Sequence, residues 1–389
     1  MDEPRIAHRN EFDEVMKFTD KIFRPNRKGR YIVAGNYPHL YNPSNHKRIL
    51  LQRDHGQLVG CLGIHPIVHV VEEVKLNAGG IGIVGTHPKR RGEGIMTTVL
   101  SNAVTRMRET GYSISVLVGD RQRYNRFGWE MGGLRHVFTL NLRHLGNPSP
   151  LERKLPLRQL QSNKSSNSRN ILYAGSKRPY WVERTLRDIQ PLFVRSSRHT
   201  WVCEYNGRFA YICLKGANHF PKPYNQIDEA GGDRELVLSM LRVLMSRYRI
   251  ESLTAISGPN PDEIDQFRYC CSDWQSSSDQ SIKILDLPTL TRELRPILSR
   301  RARAAGVDNT FHFEMTTTGQ ESELRLGNGR RYNVRLSDCD MTTLFFGNIP
   351  FSSGVCRGVG QTISLGRAAQ KALKQILPIT LYNPPVNHC

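Results

Sequence analysis

The 389-residue sequence lacks the features that would direct it to a membrane, an oxidising compartment or a metal. It has no run of 18 apolar residues, so no transmembrane helix is expected. Its acidic start, MDEPRIAHRNEFDEV, offers no apolar signal core. Its eight cysteines form no C-x-x-C pair and no regular framework. We therefore expect reduced thiols in a cytoplasmic protein, without disulfides and without a metal site.

Positive charge is the feature in excess. The chain has 55 Lys+Arg against 35 Asp+Glu, a formal net charge of +20. Residues 151–200 alone hold 11 basic and 3 acidic residues, whereas residues 201–300 are close to neutral. Such a surplus suits either an acidic partner or a solvated basic face, because charge by itself governs solubility and non-specific attraction. The distribution leaves the basic stretch after residue 150 without a role.

Composition and patterning divide the chain into three blocks. The first alternates helical and strand-like segments and ends at the turn-rich NPSP of residues 147–150. The second contains a Ser- and Asn-rich stretch, residues 161–170, that reads as an exposed loop, then two strands around an Asn-Gly turn, a helix and a strand. Its order of hairpin, long helix and strand repeats that of the first block and hints at a duplication. The third block begins with a strand and a helix at residues 282–306 and has a late helix near residues 367–377.

The most informative stretch, residues 79–119, reads as a strand, a Gly-rich basic turn, a helix and a second strand. Apolar residues at helical spacing predict that this helix begins at Ile95. A turn of this kind is an anion site, because convergent backbone N–H groups and the helix start present positive charge. Arg90 and Arg91 add cationic donors suited to phosphate. The stretch is neither a P-loop nor a dinucleotide-binding fingerprint.

Two motifs here resemble those of the GCN5-related N-acetyltransferase (GNAT) superfamily. Arg91 and Gly94 match its R/Q-x-x-G-x-G/A motif, although Met96 replaces the usual small residue. RQRYNRFGWE (121–130) resembles its Y-x-x-x-G-F/W-E signature, which implies that Tyr124 is the general acid for the departing thiolate. The resemblance also implies that a strand aligns acetyl-CoA and that loop amides hold its pyrophosphate. The cofactor-binding residues implied are Val84, Gly85, Thr86, Arg91, Gly92, Glu93, Gly94, Ile95, Met96 and Thr97.

In its length near 400 residues and in the bulky residue Met96, the chain resembles the enhanced intracellular survival (Eis) acetyltransferases. That resemblance implies an α+β fold with two tandem acetyltransferase-type domains and a C-terminal domain like sterol carrier proteins. The predicted domains are a catalytic one at 1–148, a degenerate one with a basic linker at 149–285, and the carrier-like one at 286–389. Before the helix at residue 235 stands DEAGGDRE, without the R-x-x-G-x-G motif, as a degenerate copy would have it. The family also suggests a homo-oligomer, in the form of a hexamer.

The general base has two candidates. The strand before the turn carries no carboxylate, so the Glu that many acetyltransferases place there is absent. The Eis resemblance implies that the C-terminal carboxylate, here of Cys389, takes this role; the alternative is a frayed terminus. His65, in the strand-like CLGIHPIVHVV, is the second candidate, or else a wall of the substrate groove. Nearby, Arg121, Arg123 and Arg126 either approach the 3′-phosphate of CoA or form a solvated helix face.

The sequence therefore predicts an N-acetyltransferase that moves the acetyl group of acetyl-CoA to a primary amine. The acceptor would be a lysine side chain, a polyamine or an amino sugar. Direct attack in a ternary complex is expected, because no cysteine stands at the expected centre. No metal and no membrane partner are expected, and nucleic acid is not expected to bind. The alternative is a non-catalytic acyl-CoA- or nucleic-acid-binding protein that kept the fold.

Overall fold

A computed structural model describes residues 1–25, 32–161, 165–195, 198–216, 224–348 and 366–387. Within them helices and strands mix throughout. The strands are β1 Arg5–Ile6, β2 Ile49–Asp54, β3 Gln57–Val71, β4 Val74–Thr86, β5 Ile114–Leu117, β6 Glu130–Gly132, β7 Arg135–Asn141, β8 Arg158–Gln159, β9 Tyr180–Val182, β10 Arg198–Tyr205, β11 Arg208–Lys215, β12 Gln226–Gly232, β13 Ser252–Ser257, β14 Cys271–Ser277, β15 Gln280–Ile284, β16 Thr310–Met315, β17 Gln320–Arg325 and β18 Arg331–Leu336. The α-helices are α1 Phe12–Phe23, α2 Ile32–Asn36, α3 Ile95–Glu109, α4 Arg121–Asn125, α5 Leu142–Leu145, α6 Ser165–Ser176, α7 Leu186–Phe193, α8 Arg234–Arg247, α9 Pro261–Arg268, α10 Leu287–Ala305, α11 Asp338–Phe346 and α12 Arg367–Ile376.

Two sheets have the same strand order. The first sheet runs β1-β2-β3-β4-β5-β15-β6, and β9 adds to β3. The second sheet, written from its opposite end, runs β8-β10-β11-β12-β13-β7-β14. In the first path only β4 and β5 pair as parallel strands, and in the second only β12 and β13 do. A helix follows the fourth strand of each path, α3 after β4 and α8 after β12. The predicted duplication is therefore present in the topology.

The sixth position of each path is filled from the other half of the chain. Strand β15 pairs with β5 and β6 in the first sheet, although it lies far downstream. Strand β7 pairs with β13 and β14 in the second sheet, although it directly follows β6. Neither sheet is thus built from one continuous stretch, and the domain boundaries at residues 148 and 285 stay a prediction.

Each sheet carries its own buried core. Helix α3 packs its Ile95, Val99 and Met107 side chains on the first sheet, and α8 packs Val237, Met240 and Leu241 on the second. A third sheet, β17-β16-β18, lies with α10, α11 and α12 in one apolar cluster that also reaches β4, β5 and β15. The carrier-type identity of this third region stays a prediction.

Local patterns predicted most elements, with one correction. The hairpin β10–β11 turns at Asn206 and Gly207, both with positive φ, as the Asn-Gly pair indicates. The predicted loop at 161–170 is wrong in its second half, because helix α6 begins at Ser165. The apolar residues that follow explain this, since Ile171 is fully buried in a cluster with Leu192 and Phe193 of α7. The Ser- and Asn-rich residues 165–170 form the first turns of that helix.

Candidate functional site

Strands β4 and β5 separate at one end of the first sheet. They pair in parallel from Ala78 to Gly80 on β4, but β4 continues for six residues to Thr86. Beyond Gly80, no β5 residue pairs with this extension among the described residues. A strand edge freed in this way presents backbone donors and acceptors to any extended molecule that enters the opening.

A β-bulge bends the free part of β4. Cys61 of β3 pairs with Gly85, whereas Gly63 pairs with Gly82, so β4 carries one extra residue here. Ile83 lies in this bulge with a φ of 47°, a left-handed conformation that is rare for a β-branched residue. Such bulges redirect a strand and are common beside functional sites. The predicted residues Val84, Gly85 and Thr86 all lie on this bent extension.

The turn after β4 leads into the start of α3. Gly92 has a φ of 89°, and Gly94, at the N-cap of α3, has a φ of 78°, conformations that glycine adopts readily. No side chain caps this helix start within the described residues. The N–H groups of its first turn therefore face solvent, together with the positive end of the helix dipole. Glu93 and Thr97 are exposed at this rim, while Ile95 is buried and Met96 half-buried below it.

The two arginines of the turn have different roles. Arg90 pairs with Glu93 at 2.7 Å and with Asp54 at 2.9 Å, and Asp54 also holds the terminal ammonium of Met1 at 3.0 Å. Arg90 thus braces the turn. Arg91 is exposed and makes no hydrogen bond or ion pair with any other described residue. Of the two arginines, it is the one available to an anionic ligand.

Tyr124 lies in the same apolar cluster as the start of α3. Its side chain is 7% exposed, and the cluster includes Ile81 and Ile95, with Val84 and Met96 packed against it. Gly119, just after β5, makes room for the phenol ring, because a Cβ there would lie 2.5 Å from ring carbon Cε2. The two predicted motifs, about 30 residues apart in sequence, therefore meet at the open end of β4 and β5.

The helix that carries Tyr124 is held by a buried carboxylate. Glu130 accepts two hydrogen bonds of 2.6 Å from Arg121 and one of 2.7 Å from Asn125. Asn125 also donates to Cys339 Sγ of α11, at 3.4 Å. Arg121 is therefore engaged with Glu130, and Arg126 lies over the ring of Phe127 at 4.8 Å. Sequence reasoning missed the role of Glu130, although it belongs to the signature that identified Tyr124.

On the other face of the sheet, His65 meets an aromatic group from the segment after α2. His65 is 1% exposed, and its Nε2 lies 3.1 Å from the hydroxyl of Tyr41. Burial lowers the pKa of His65 to about 3, so its imidazole is neutral near pH 7. Tyr37 packs edge-on against Tyr41, and Arg195 lies 5.6 Å above the Tyr37 ring. No sequence motif indicated Tyr41 or Tyr37.

The last described residues of the chain run between the two sheets. The segment from Leu377 to Val386 is mostly buried, and Val386 packs in the cluster of α6, α7, β10 and β11. Three arginines of the basic stretch hold its end. Arg184 donates to Asn387 Oδ1 at 3.1 Å, Arg198 to the Pro385 carbonyl at 2.7 Å, and Arg195 to the Val386 carbonyl. Cys389, predicted to supply the base, lies outside the described residues.

The chain is similar to known acetyltransferases in part of its sequence and in its fold. A family model described as an acetyltransferase (GNAT) domain matches residues 3–132. A GCN5-related N-acetyltransferase from Anabaena variabilis has a similar structure, with 14% identity, 98% of each chain covered and a TM-score of 0.68. So has a probable N-acyltransferase from Enterococcus faecalis, with 13% identity, 98% of each chain covered and a TM-score of 0.70. Eis1 from Mycobacterium abscessus covers the whole of both chains with 10% identity and a TM-score of 0.66. No curated protein sequence matches the chain.

The matched residues contain the open end of β4, the turn and Tyr124. The chain therefore carries a GNAT acetyltransferase domain over residues 3–132, which supports an acyl-CoA-dependent acetyltransferase. In the arrangement of its domains it resembles Eis, and the predicted α+β fold with tandem acetyltransferase domains is confirmed.

Two further observations bear on the predicted partners. Among the described residues, no helix combines the length and apolar character needed to cross a membrane. Within the same stretches, no three His, Cys, Asp or Glu side chains come together as they would around a metal ion. The expectation that the reaction needs no metal stays a prediction.

Proposed function

We propose that the site at the open end of β4 and β5 transfers the acetyl group of acetyl-CoA to a primary amine. The pantetheine arm would lie along Val84–Thr86, where β4 has no strand partner. The pyrophosphate would sit on the N–H groups of Gly92–Thr97, with Arg91 beside it. The observation that carries this proposal is the meeting of an uncapped helix start, an unpaired strand edge and a buried tyrosine in one place.

The reaction then follows from where these groups lie. The amine nitrogen attacks the thioester carbonyl, the C–S bond breaks, and CoA leaves as a thiolate. Tyr124 supplies the proton to this sulfur, since a phenol with a pKa near 10 is protonated at pH 7 and matches a thiolate in basicity. The amine loses its proton to a base, for which we propose the carboxylate of Cys389. His65 is a poor base, because burial lowers its pKa to about 3.

The charges around the proposed acceptor position favour an amine substrate that carries few positive charges. We propose that the acceptor enters beside His65, Tyr41 and Tyr37, and we call this the acceptor wall. Its described groups include Arg195 and the neutral His65, and the carboxylates of Asp228 and Glu229 in the second sheet are engaged by arginines. Among the described residues of this wall, a polycation would meet no free carboxylate. We therefore propose a lysine side chain, a polyamine with few charges or an amino sugar as the acceptor class.

Thiol release from acetyl-CoA across a panel of such amines tests this function. Tyr124→Phe should lower kcat by roughly 10²- to 10⁴-fold and leave the Kd for acetyl-CoA within about twofold. Tyr112→Phe is the matched control, because Tyr112 is a half-buried tyrosine of the same cluster. If no amine in the panel releases thiol, while acetyl-CoA binds, the chain is an acyl-CoA-binding protein.

The role of Cys389 has its own test. Removing Cys389 shortens the chain by one residue and moves the terminal carboxylate to His388, away from its proposed position. Therefore kcat should fall by about 10-fold or more while acetyl-CoA binding persists. His388→Ala keeps the chain length and should leave kcat within about twofold. Equal rates for the shortened and full-length chains would assign the base elsewhere.

Three broader predictions accompany this function. We expect a cytoplasmic homo-oligomer, and sedimentation of the purified chain will show whether it is a hexamer. We expect no nucleic-acid binding, and filter binding of duplex DNA over a salt series tests this through the slope that phosphate contacts produce.

A further inference from the structure

Among its described residues, the basic stretch after residue 150 contains one buried guanidinium without a carboxylate partner. Arg195 is 7% exposed and forms no ion pair with any described acidic residue. Its three donor groups contact carbonyls: Leu192 at 2.9 Å, Asn36 at 3.0 Å, and Val386. Burial, together with the neighbouring Arg198, lowers the pKa of Arg195. Burying a cation whose hydrogen bonds all go to neutral carbonyls costs stability, which points to a role beyond packing.

The three carbonyls belong to three parts of the molecule. Leu192 is in the last turn of α7, where free carbonyls favour a cation. Asn36 ends α2 and is followed by Tyr37, whose ring lies under Arg195 in the proposed acceptor wall. Val386 belongs to the C-terminal segment. One side chain thus connects the second sheet, the acceptor wall of the first sheet and the end of the chain.

The other arginines do not make this connection. Arg198 reaches Pro385 and is paired with Asp228, and Arg184 reaches Asn387 and is paired with Glu229. These two join the C-terminal segment to β12 of the second sheet. Of these three arginines, Arg195 is the one that also donates to Asn36, at the end of α2 beside the first sheet.

We infer that Arg195 is a positioning residue that fixes the C-terminal segment, Pro385–Asn387, against the acceptor wall at Asn36 and Tyr37. The second acetyltransferase-type domain then serves as the holder of this segment. The effect on turnover rests on the proposed function, in which the end of this segment is the base. The holding itself does not depend on that chemistry.

Hydrogen exchange of the C-terminal peptide tests the holding directly. Arg195→Met removes the charge and all donors but keeps the length of the side chain. Exchange at the amides of Tyr382, Asn383, Val386 and Asn387 should accelerate by about tenfold or more. Arg247→Met is the matched control. Arg247 is an exposed arginine that lies over Trp201 in the same domain, and it has no described hydrogen bond to Asn36 or to the C-terminal segment. It should leave this exchange unchanged.

Kinetics on the same variants separate this inference from the proposed function. Arg195→Met should lower kcat by about 10-fold or more and leave the Kd for acetyl-CoA within twofold, and Arg195→Lys should restore part of both the rate and the protection. Faster exchange with unchanged kcat would support the holding and overturn the base at Cys389. Unchanged exchange would overturn the inference whatever the rate. If Arg195→Met does not fold, hydrogen exchange and kcat are measured on Arg195→Gln, which keeps an amide donor group. The same outcomes then support or overturn the inference.

Discussion

The turn between β4 and α3 and the turn between β12 and α8 occupy the same place in two sheets of the same strand order. The first ends in Gly94, which leaves the helix start without a side-chain cap. The second ends in Asp233, whose carboxylate accepts the N–H of Leu236 at 2.9 Å. An anionic ligand can bind to the first helix start, whereas a carboxylate of the chain already occupies the second.

The free strand edges differ in the same sense. Strand β12 pairs with β13 only at Gln226 and Ile227, so it too has an extension without a parallel partner. That extension carries Asp228 and Glu229, and Arg178 donates to its Ala230 carbonyl at 2.5 Å. The corresponding part of β4, IGIVGT, has no charged side chain. The shared geometry thus carries internal ion pairs in the second sheet and leaves an uncharged strand edge in the first, where we propose that acyl-CoA binds.

The largest expected effect comes from breaking the ion pairs of the second sheet. Glu229 is bound by Arg184 at 2.7 Å, Arg178 at 3.0 Å and the hydroxyl of Tyr211 at 2.6 Å. Glu229→Gln should lower the free energy of unfolding by about 3–5 kcal/mol, because it leaves the buried Arg184 without its counter-charge. Glu235→Gln, which alters an exposed pair, should cost under about 1 kcal/mol. Urea denaturation of both variants measures this difference.

The same carboxylate makes stability depend on pH. Burial alone would raise the pKa of Glu229, but Arg184 and Arg178 outweigh it and lower this pKa to about 2. Its contribution is therefore complete above the unfolded value of about 4.5 and is lost as the pH falls toward 2. Stability of Glu229→Gln should accordingly vary less than that of the parent chain between pH 5 and pH 3. Parallel curves for the two proteins would contradict the pairing.

The next effect comes from giving the first turn the character of the second. Thr97 is exposed in the first turn of α3, so Thr97→Asp places a carboxylate where the pyrophosphate is proposed. Repulsion and the loss of N–H donors should weaken acetyl-CoA binding about 100-fold. Thermal stability should not fall, because an acidic residue suits a helix start. Ser101→Asp, further along the helix, is the control, and titration calorimetry is the measurement.

A smaller effect is expected at the free arginine of the first turn. Arg91→Ala removes one charge-assisted contact and should weaken acetyl-CoA binding about tenfold, without loss of stability. Lys89→Ala removes an exposed charge nearby and should change the Kd less than threefold. Equal losses for the two variants would mean that Arg91 acts through net charge alone.

The smallest effect is expected at the cap of the second helix. Asp233→Ala should lower the free energy of unfolding by about 1 kcal/mol, the usual value of an N-cap. It should not create a second acetyl-CoA site, because Asp228 and Glu229 remain on β12 and Arg178 still donates to the Ala230 carbonyl. A gain of acetyl-CoA binding would show that the helix cap alone accounts for the difference in binding between the two sheets.

Sequence patterns predicted the parts of the site that are local. The strand, turn and helix around Arg91, and the segment with Tyr124, are each continuous and carry their own motif. The exchange of β7 and β15 could not be predicted, because either strand looks the same whichever sheet it joins. Gly119 and Tyr41 carry no motif, since their roles arise from contacts between separate elements. The charge surplus of residues 151–200 was the one sequence signal of the arginines that hold the C-terminal segment.

The stoichiometry of acetyl-CoA binding tests the central claim most directly. Titration calorimetry of the full chain should give one site per chain, and Thr97→Asp should abolish it at concentrations that saturate the parent protein. Two sites per chain, or one site unaffected by Thr97→Asp, would contradict the assignment of acyl-CoA binding to the turn between β4 and α3.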